Sequence, residues 1–230
     1  MRLSIIVPVL DEASTLASAL ARLAPLRERG ARVIVVDGGS QDETVTIAAP
    51  LADCVIGSAR GRAAQMNAGA REALATGEPE VLLFLHADTE LPAEADRLIA
   101  TALASGQVWG RFDVQIRGAS PWLRVVARMM NWRSRLTGIA TGDQAIFVEV
   151  SHWIALGGFA ELPLMEDIEL SRRARALSRP ACIKTPVITS GRRWEIHGVW
   201  PTIWLMWRLR AAYFFGADPA RLARLYRNTR

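Results

Sequence analysis

Carboxylates recur where apolar runs of the chain end. Pro8-Val9-Leu10-Asp11-Glu12 closes the first such run, Asp37-Gly38-Gly39-Ser40-Gln41-Asp42 the second, and His86-Ala87-Asp88-Thr89 the fourth. In an open α/β sheet the ligand crevice lies beyond the carboxyl ends of the strands, so three polar ends at one edge point to a shared site. Val81-Leu82-Leu83-Phe84-Leu85 runs straight into His86-Ala87-Asp88. That places Asp88 to hold a divalent cation against phosphate oxygens, since Mg²⁺ needs only one or two carboxylates plus substrate phosphate. Each acid also has a plainer use: Asp11 and Ser40 suit helix N-caps, and Asp88 suits the cap of a helix beginning near Pro92.

The second half adds further candidates. Glu166-Asp167 opens a charged amphipathic stretch, where adjacent carboxylates complement a helix macrodipole and serve as caps. Ser190-Gly191-Arg192-Arg193-Trp194 offers two guanidinium groups, which pair well with phosphate. His197 is a lone imidazole, more often structural than ligating. Trp200, Trp204 and Trp207 follow i, i+4, i+7 spacing and share a helical face, with Arg208, Arg210 and Tyr213 close by. The first reading of that face is packing on the rest of the domain or on a partner subunit. The alternative is an interfacial helix, because Trp and Arg favour the membrane boundary.

These residues need a scaffold, and the hydropathy pattern supplies one. Apolar, β-branched runs cover residues 3–9, 32–37, 53–57 and 81–86, with helical periodicity between them at 12–23 and 62–75. Strands alternating with helices predict a parallel sheet with crossover helices. Near-continuous apolarity in 3–9 and 81–85 predicts strands covered on both faces. Further on, 109–116 alternates as a half-exposed strand, with Arg111, Asp113 and Gln115 opposite Phe112, Val114 and Ile116. Helices are expected at 121–136, 166–177, 199–215 and 219–226, and strands at 144–149 and 181–188. No repeat or low-complexity linker interrupts the 230 residues, which fit one domain.

Composition narrows the class. The net charge of +5 comes almost wholly from arginine, Lys184 being the one lysine, and admits anionic ligands or an anionic membrane surface. No basic run interleaved with aromatics precedes the C-terminal region, so nucleic acid is not expected as a partner. Cys54 and Cys182 form no C-x-x-C motif, which argues against a zinc site and suits a reducing compartment. Arg2 and the short apolar run ending near Pro8 suit a first strand, not a signal peptide. The apolar stretch 199–216 contains Arg208 and Arg210 and is too short and charged for a confident span. The expected location is the cytoplasm, with the inner membrane face left open.

Taken in order, the three strand-end blocks resemble family 2 glycosyltransferases. The likeness extends to Gly61-Arg62-Ala63-Ala64-Gln65-Met66-Asn67-Ala68-Gly69, to Gly142-Asp143-Gln144-Ala145-Ile146-Phe147 and to Met165-Glu166-Asp167-Ile168-Glu169-Leu170. It is nearest to the short members associated with radical-SAM and selenium-related domains. The resemblance implies a GT-A-like α/β fold: a mixed, mostly parallel sheet flanked by helices, with a helical C-terminal extension. It divides the chain into a nucleotide-binding half at 1–105, an acceptor and catalytic half at 106–198 and C-terminal helices at 199–230. It implies a nucleotide-sugar donor near Pro8, Leu10, Glu12, Asp37, Arg62, Gln65, Ala87 and Asp88. Asp88 would be the metal ligand for Mg²⁺ or Mn²⁺, with His197 a further candidate. Asp167, with Glu166 beside it, would be the general base, and Arg192, Arg193 and Trp194 would meet diphosphate or acceptor.

Two positions depart from the family pattern. His86 stands where the D-x-D motif begins, and Gly38 replaces the second Asp of the D-D-G-S block. The implied reaction is inverting transfer to an unidentified acceptor, which a lipid-linked or hydrophobic molecule would suit; homo-oligomer formation stays open. Two other classes also stay open: a nucleotidyltransferase and a non-catalytic nucleotide- or lipid-binding module. The first should carry a glycine-rich phosphate loop after its first strand, and Pro8-Val9-Leu10-Asp11-Glu12 has no glycine.

Overall fold

The computed structural model describes residues 1–227. Four parallel strands form one side of the sheet: β1 (Leu3–Val9), β2 (Arg32–Asp37), β3 (Cys54–Gly57) and β4 (Val81–Phe84), in the order β3-β2-β1-β4. The sheet continues from β4 through β7 (Ile146–Glu149), β6 (Trp109–Arg117) and β8 (Ala181–Ser190) to the short β5 (Thr89–Glu90). β7 runs antiparallel to both neighbours, β6 and β8 are parallel, and β5 is antiparallel to β8. The result is the mixed, mostly parallel sheet that the apolar runs anticipate.

Alternation along the central strands explains why both faces are covered. Ile5, Val7 and Val9 of β1 join one core, while Ile6 joins the other. On the first face lie α1 (Ala13–Ala21), α5 (Ala95–Ala104) and α6 (Trp122–Thr137), which bury Leu16, Ile99 and Leu123. On the second lie α4 (Arg62–Thr76), α7 (Val150–Leu156) and α8 (Glu166–Ala174), which bury Met66, Trp153 and Leu170. α4 approaches the sheet through Gly69, where a Cβ would come within 2.5 Å of Ile6 Cγ2 and 2.9 Å of Val36 Cγ2. Only glycine permits that contact.

Several boundaries differ from the sequence expectation. β4 stops at Phe84, so His86 and Asp88 sit in a loop. Gly142–Gln144 forms a 3-10 turn, closed by reciprocal Thr141 and Gln144 hydrogen bonds, and the strand expected from 144 therefore begins at Ile146. Short elements without a periodic signature escape the sequence: α2 (Ala24–Glu28), α3 (Thr44–Ala48), α7, α9 (Arg192–His197) and β5.

Arg111, expected on an exposed strand face, is fully buried. α6 covers it, with Ser134 Oγ accepting from Arg111 Nε at 3.0 Å and Asp113 pairing with the guanidinium. Beside it, Asn131 of α6 bonds both the N–H (2.8 Å) and C=O (3.0 Å) of Val114, satisfying backbone groups where β7 has ended.

The tail forms α10 (Val199–Phe214) and α11 (Pro219–Arg227); residues 228–230 of the expected C-terminal segment lie outside the described residues. Leu209 and Leu222 pack against Met165, so this pair of helices leans on the segment that opens α8. Of the two forms of packing expected for the tryptophans, burial on the domain is not what the structure shows: Trp200, Trp204 and Trp207 are 61%, 69% and 63% exposed, with Trp200 touching the rim of α6 at Trp122. α10 is apolar around much of its girth, and the Leu209 side is the one that docks. Among the described residues no helix is long and apolar enough to cross a membrane.

Candidate functional site

The loops after β1 and β2 are tied into one rim. Asp37 accepts from the Gly39 N–H at 2.9 Å and from the Ser40 N–H and hydroxyl, which shapes its own turn. Ser40 Oγ in turn accepts from the Asp11 N–H at 2.9 Å, and Asp11 accepts from the Gln41 N–H at 2.8 Å. Thr44 Oγ1 accepts from the Glu12 N–H and Asp42 from the Ala13 N–H. Buried Gln65 reaches up from α4 and donates both amide hydrogens, to Val9 O at 2.7 Å and Val36 O at 2.8 Å. Asp37 and Gln65 thus shape the rim, leaving little polar capacity for a ligand. Pro8 and Ala87 are buried, while Leu10 and Glu12 are half-buried at the rim.

Next to this rim, the loop after β4 meets the start of α8 through the Gly142 turn. Asp88 is exposed there and accepts only a long 3.4 Å bond from the Thr89 hydroxyl among the described residues. His86 is buried and faces Asp143 at 3.2 Å. A Cβ on Gly142 would lie 2.4 Å from the imidazole, so that glycine makes room for it. Gly142 also donates its N–H to Asp167 Oδ2 at 2.9 Å, and the Ile168 N–H binds Oδ1 at 2.7 Å. His86, the Gly142 turn and Asp167 are therefore one contiguous constellation.

Arg62, at the first turn of α4, closes the ring. Burial opposes its charge, but Tyr226 and the acids Glu166, Asp143 and Asp88 outweigh that and hold its pKa above the usual value. Arg62 keeps solvent access although protein surrounds it, as expected at a cleft floor. Asp88, Asp143 and Glu166 thus all act on a single guanidinium, and Asp167 acts on Glu166 beside it.

Other charges in the cleft are strongly perturbed. Burial lifts the Glu166 carboxyl to about 7, with the negative charge of Asp167 adding to the effect. Asp143 also resists burial, yet its bond to His86 and the nearby Arg62 and Arg210 hold it below the usual carboxylate range. Burial brings Arg133 down to about 10, assisted by the like charge of Arg210 and opposed by Asp167. Burial likewise lowers Arg210, against the pull of Asp167 and Asp143.

Asp143, Arg133 and Arg210 were missed as candidates. Asp143 sits in the Gly142-Asp143-Gln144 block and was detectable there; Arg133 and Arg210 look like ordinary helical arginines until α6 and α10 converge.

The later candidates divide. Ser190 donates its N–H to the Asp88 carbonyl at 3.2 Å, so the Arg192-Arg193-Trp194 turn begins beside Asp88. Arg192 is exposed, Arg193 lies over the Tyr226 ring at 3.7 Å, and Trp194 packs on the core. Among the described residues no three of His, Cys, Asp and Glu form a group able to hold a metal, so Asp88 and His197 belong to no preassembled cage. A single accessible carboxylate still fits an ion that takes most of its ligands from diphosphate and water.

Fold and cleft together define a GT-A-type transferase scaffold. The family model described as glycosyl transferase family 2 matches residues 4–155, and the chain belongs to that family. No curated protein matches the chain. Similar solved structures include S. aureus TarS 1-349 in complex with UDP, at 19% identity and TM-score 0.63, over 83% of this chain and 60% of that one. Another is the mannosyltransferase PcManGT from Pyrobaculum calidifontis with GDP-Man and Mn²⁺, at 23% identity and TM-score 0.63, over 92% and 61%. A third is glucosyl-3-phosphoglycerate synthase from Mycobacterium tuberculosis with Mn²⁺, UDP and glucosyl-3-phosphoglycerate, at 18% identity and TM-score 0.56, over 82% and 70%. The chain spans about three fifths of the length of the first two.

Proposed function

We propose that the chain is an inverting glycosyltransferase that moves a sugar from a nucleotide-diphosphate sugar to an acceptor hydroxyl. The observation that carries this is that Asp88 and Glu166 both act on Arg62, while Asp167, next to Glu166, is bonded to the Gly142 turn that packs on His86 of the Asp88 loop. Asp167 accepts the hydroxyl proton as the acceptor oxygen bonds to the anomeric carbon and the bond to the diphosphate breaks. Its two backbone bonds, from Gly142 and Ile168, fix the carboxylate while leaving lone pairs for that proton. Arg62 and Arg192, with Arg193 if it leaves the Tyr226 ring, would meet diphosphate oxygens, and the rim from Pro8 to Glu12 and from Asp37 to Asp42 would receive the nucleoside. Asp88, with the diphosphate, would hold Mg²⁺ or Mn²⁺, which supplies charge stabilisation of the leaving group.

Two of the similar structures contain Mn²⁺, and all three named above contain a nucleotide or nucleotide sugar, which supports the donor class. On its motif blocks we place the chain with the short radical-SAM and selenium-domain-associated members, and we keep the division into donor half (1–105), acceptor half (106–198) and C-terminal helices. Free Cys54 and Cys182 fit a cytoplasmic setting. One observation favours a second reading, a non-catalytic nucleotide-binding module: His86 replaces an acid and is engaged with Asp143.

Nucleoside diphosphate release from UDP- and GDP-sugars with Mn²⁺ tests the choice. Turnover by the natural chain and a loss of about a hundredfold or more in Asp167→Asn, with diphosphate binding kept, is the expected result. Unchanged turnover in Asp167→Asn removes it as base. Binding without any turnover in the natural chain favours the module.

A further inference from the structure

α6 and α10 each bury one face and show a second apolar stripe to solvent. On α6 the stripe is Trp122, Val125, Met129, Trp132 and Leu136, all between 46% and 59% exposed. On α10 it is Trp200, Trp204, Trp207 and Phe214, between 61% and 82% exposed. The spacing on α6 and from Trp200 to Trp207 is three or four residues, and exposed Ala211 fills the turn before Phe214, so each stripe is a continuous helical face. The Trp122 and Trp200 rings stand 5.1 Å apart, which joins the two stripes into one surface. A patch of this extent marks an interaction site.

Its charge says which partner it fits. Neither α6 nor α10 contains a single Asp or Glu, and Arg124, Arg128 and Arg208 are exposed among the aromatics. Indole and guanidinium together, with no acid, match the headgroup region of an anionic bilayer, where tryptophan sits at the interface and arginine meets lipid phosphate. A second protein chain would match the apolar stripes but gives no reason for the one-signed charge.

We propose that the α6–α10 face seats the protein on an anionic lipid surface, with both helices lying along the interface. The surface lies outside the catalytic cleft, and its test needs no turnover. The full chain is floated with vesicles of phosphatidylcholine alone and of phosphatidylcholine with phosphatidylglycerol. Binding to the anionic vesicles, weakened by salt, is expected. The triple variant Trp200→Ser/Trp204→Ser/Trp207→Ser should bind about tenfold more weakly, and Arg124→Gln/Arg128→Gln/Arg208→Gln should lose the preference for phosphatidylglycerol. All six side chains are exposed, and circular dichroism confirms folding. A chain that ignores anionic vesicles at low salt overturns the proposal. So does a dimer that the tryptophan variant dissolves, with no vesicle binding, which assigns the face to a second copy.

A separate observation carries a second inference. Arg133 Nε and Nη2 are buried without a hydrogen-bond partner among the described residues, within reach of the charges of Arg210 and Asp167. Buried guanidinium nitrogens left unpaired next to a like charge are costly unless an anion completes the site. We infer that Arg133 and Arg210 bind an anionic group, phosphate or carboxylate, carried by the acceptor. This assignment rests on the transferase reading, so its test separates the two. Thermal stabilisation is measured with inorganic phosphate in the absence of metal, and independently with nucleoside diphosphate and Mn²⁺. Arg133→Met should lose the phosphate effect and keep the diphosphate effect, and Asp88→Asn should do the reverse. Loss of both effects in a folded Arg133→Met moves the arginine to the donor side. No phosphate effect in the natural chain overturns the anion site.

Discussion

Glu166 is only 7% exposed, and burial beside Asp167 raises its carboxyl to about 7. The unfolded chain releases that proton near 4.5, so between about pH 4.5 and 7 the folded state binds more protons. This group's contribution is therefore fully present below 4.5 and is lost as the pH rises through 7. Glu166→Gln should remove that decline and raise stability at pH 8 by an amount on the order of 1–3 kcal/mol. Denaturant melts of both proteins at pH 5 and pH 8 check it: the difference should appear at pH 8 and shrink at pH 5. The pair itself was legible in the sequence as acids opening a helix, in either a capping or a catalytic role. That Glu166 is buried while Asp167 is half-buried was not, because burial depends on tertiary packing around the start of α8.

At the scale of elements, the rim of the cleft depends on one side chain from α4. Gln65 bonds the carbonyls of Val9 and Val36 where β1 and β2 end, beside the Gly38 N–H that also bonds Val9 O, and so ties α4 to both strand ends. Gln65→Met keeps the volume and removes both side-chain bonds, leaving Val9 O only its bond from the Gly38 N–H, at a cost of roughly 1–3 kcal/mol. The same change should weaken donor binding more than it slows the bound complex, visible as a raised KM with kcat nearly kept. A fall in kcat at constant KM would instead put Gln65 at the reacting atoms. The family resemblance implies Gln65 in the donor pocket; in the structure both its amide hydrogens are spent on the Val9 and Val36 carbonyls, which gives it the part of a strut. The long strands and helices were legible because their periodicity is strong. The Gly142 turn was not, since its shape is set by the Thr141–Gln144 bonds and by the imidazole against Gly142, contacts without a local pattern.

For the whole molecule, the sheet was legible because alternating apolar runs and helices leave few topologies. The loop after β4 carries Asp88, and Asp167 at the start of α8 bonds the Gly142 turn that packs on His86 of that same loop. The convergence of α6 and α10, which delivers Arg133 and Arg210, depends on tertiary packing and had no sequence signature. The central claim is that a metal-bound diphosphate at Asp88 and a proton acceptor at Asp167 share one cleft with separate duties. It is tested most directly by Mn²⁺-dependent thermal stabilisation with nucleoside diphosphates in the natural chain, Asp88→Asn and Asp167→Asn. Stabilisation that needs both ligands should be present in the natural chain, persist in Asp167→Asn and vanish in Asp88→Asn. Indifference of the natural chain to every diphosphate, or equal stabilisation in Asp88→Asn, would contradict it.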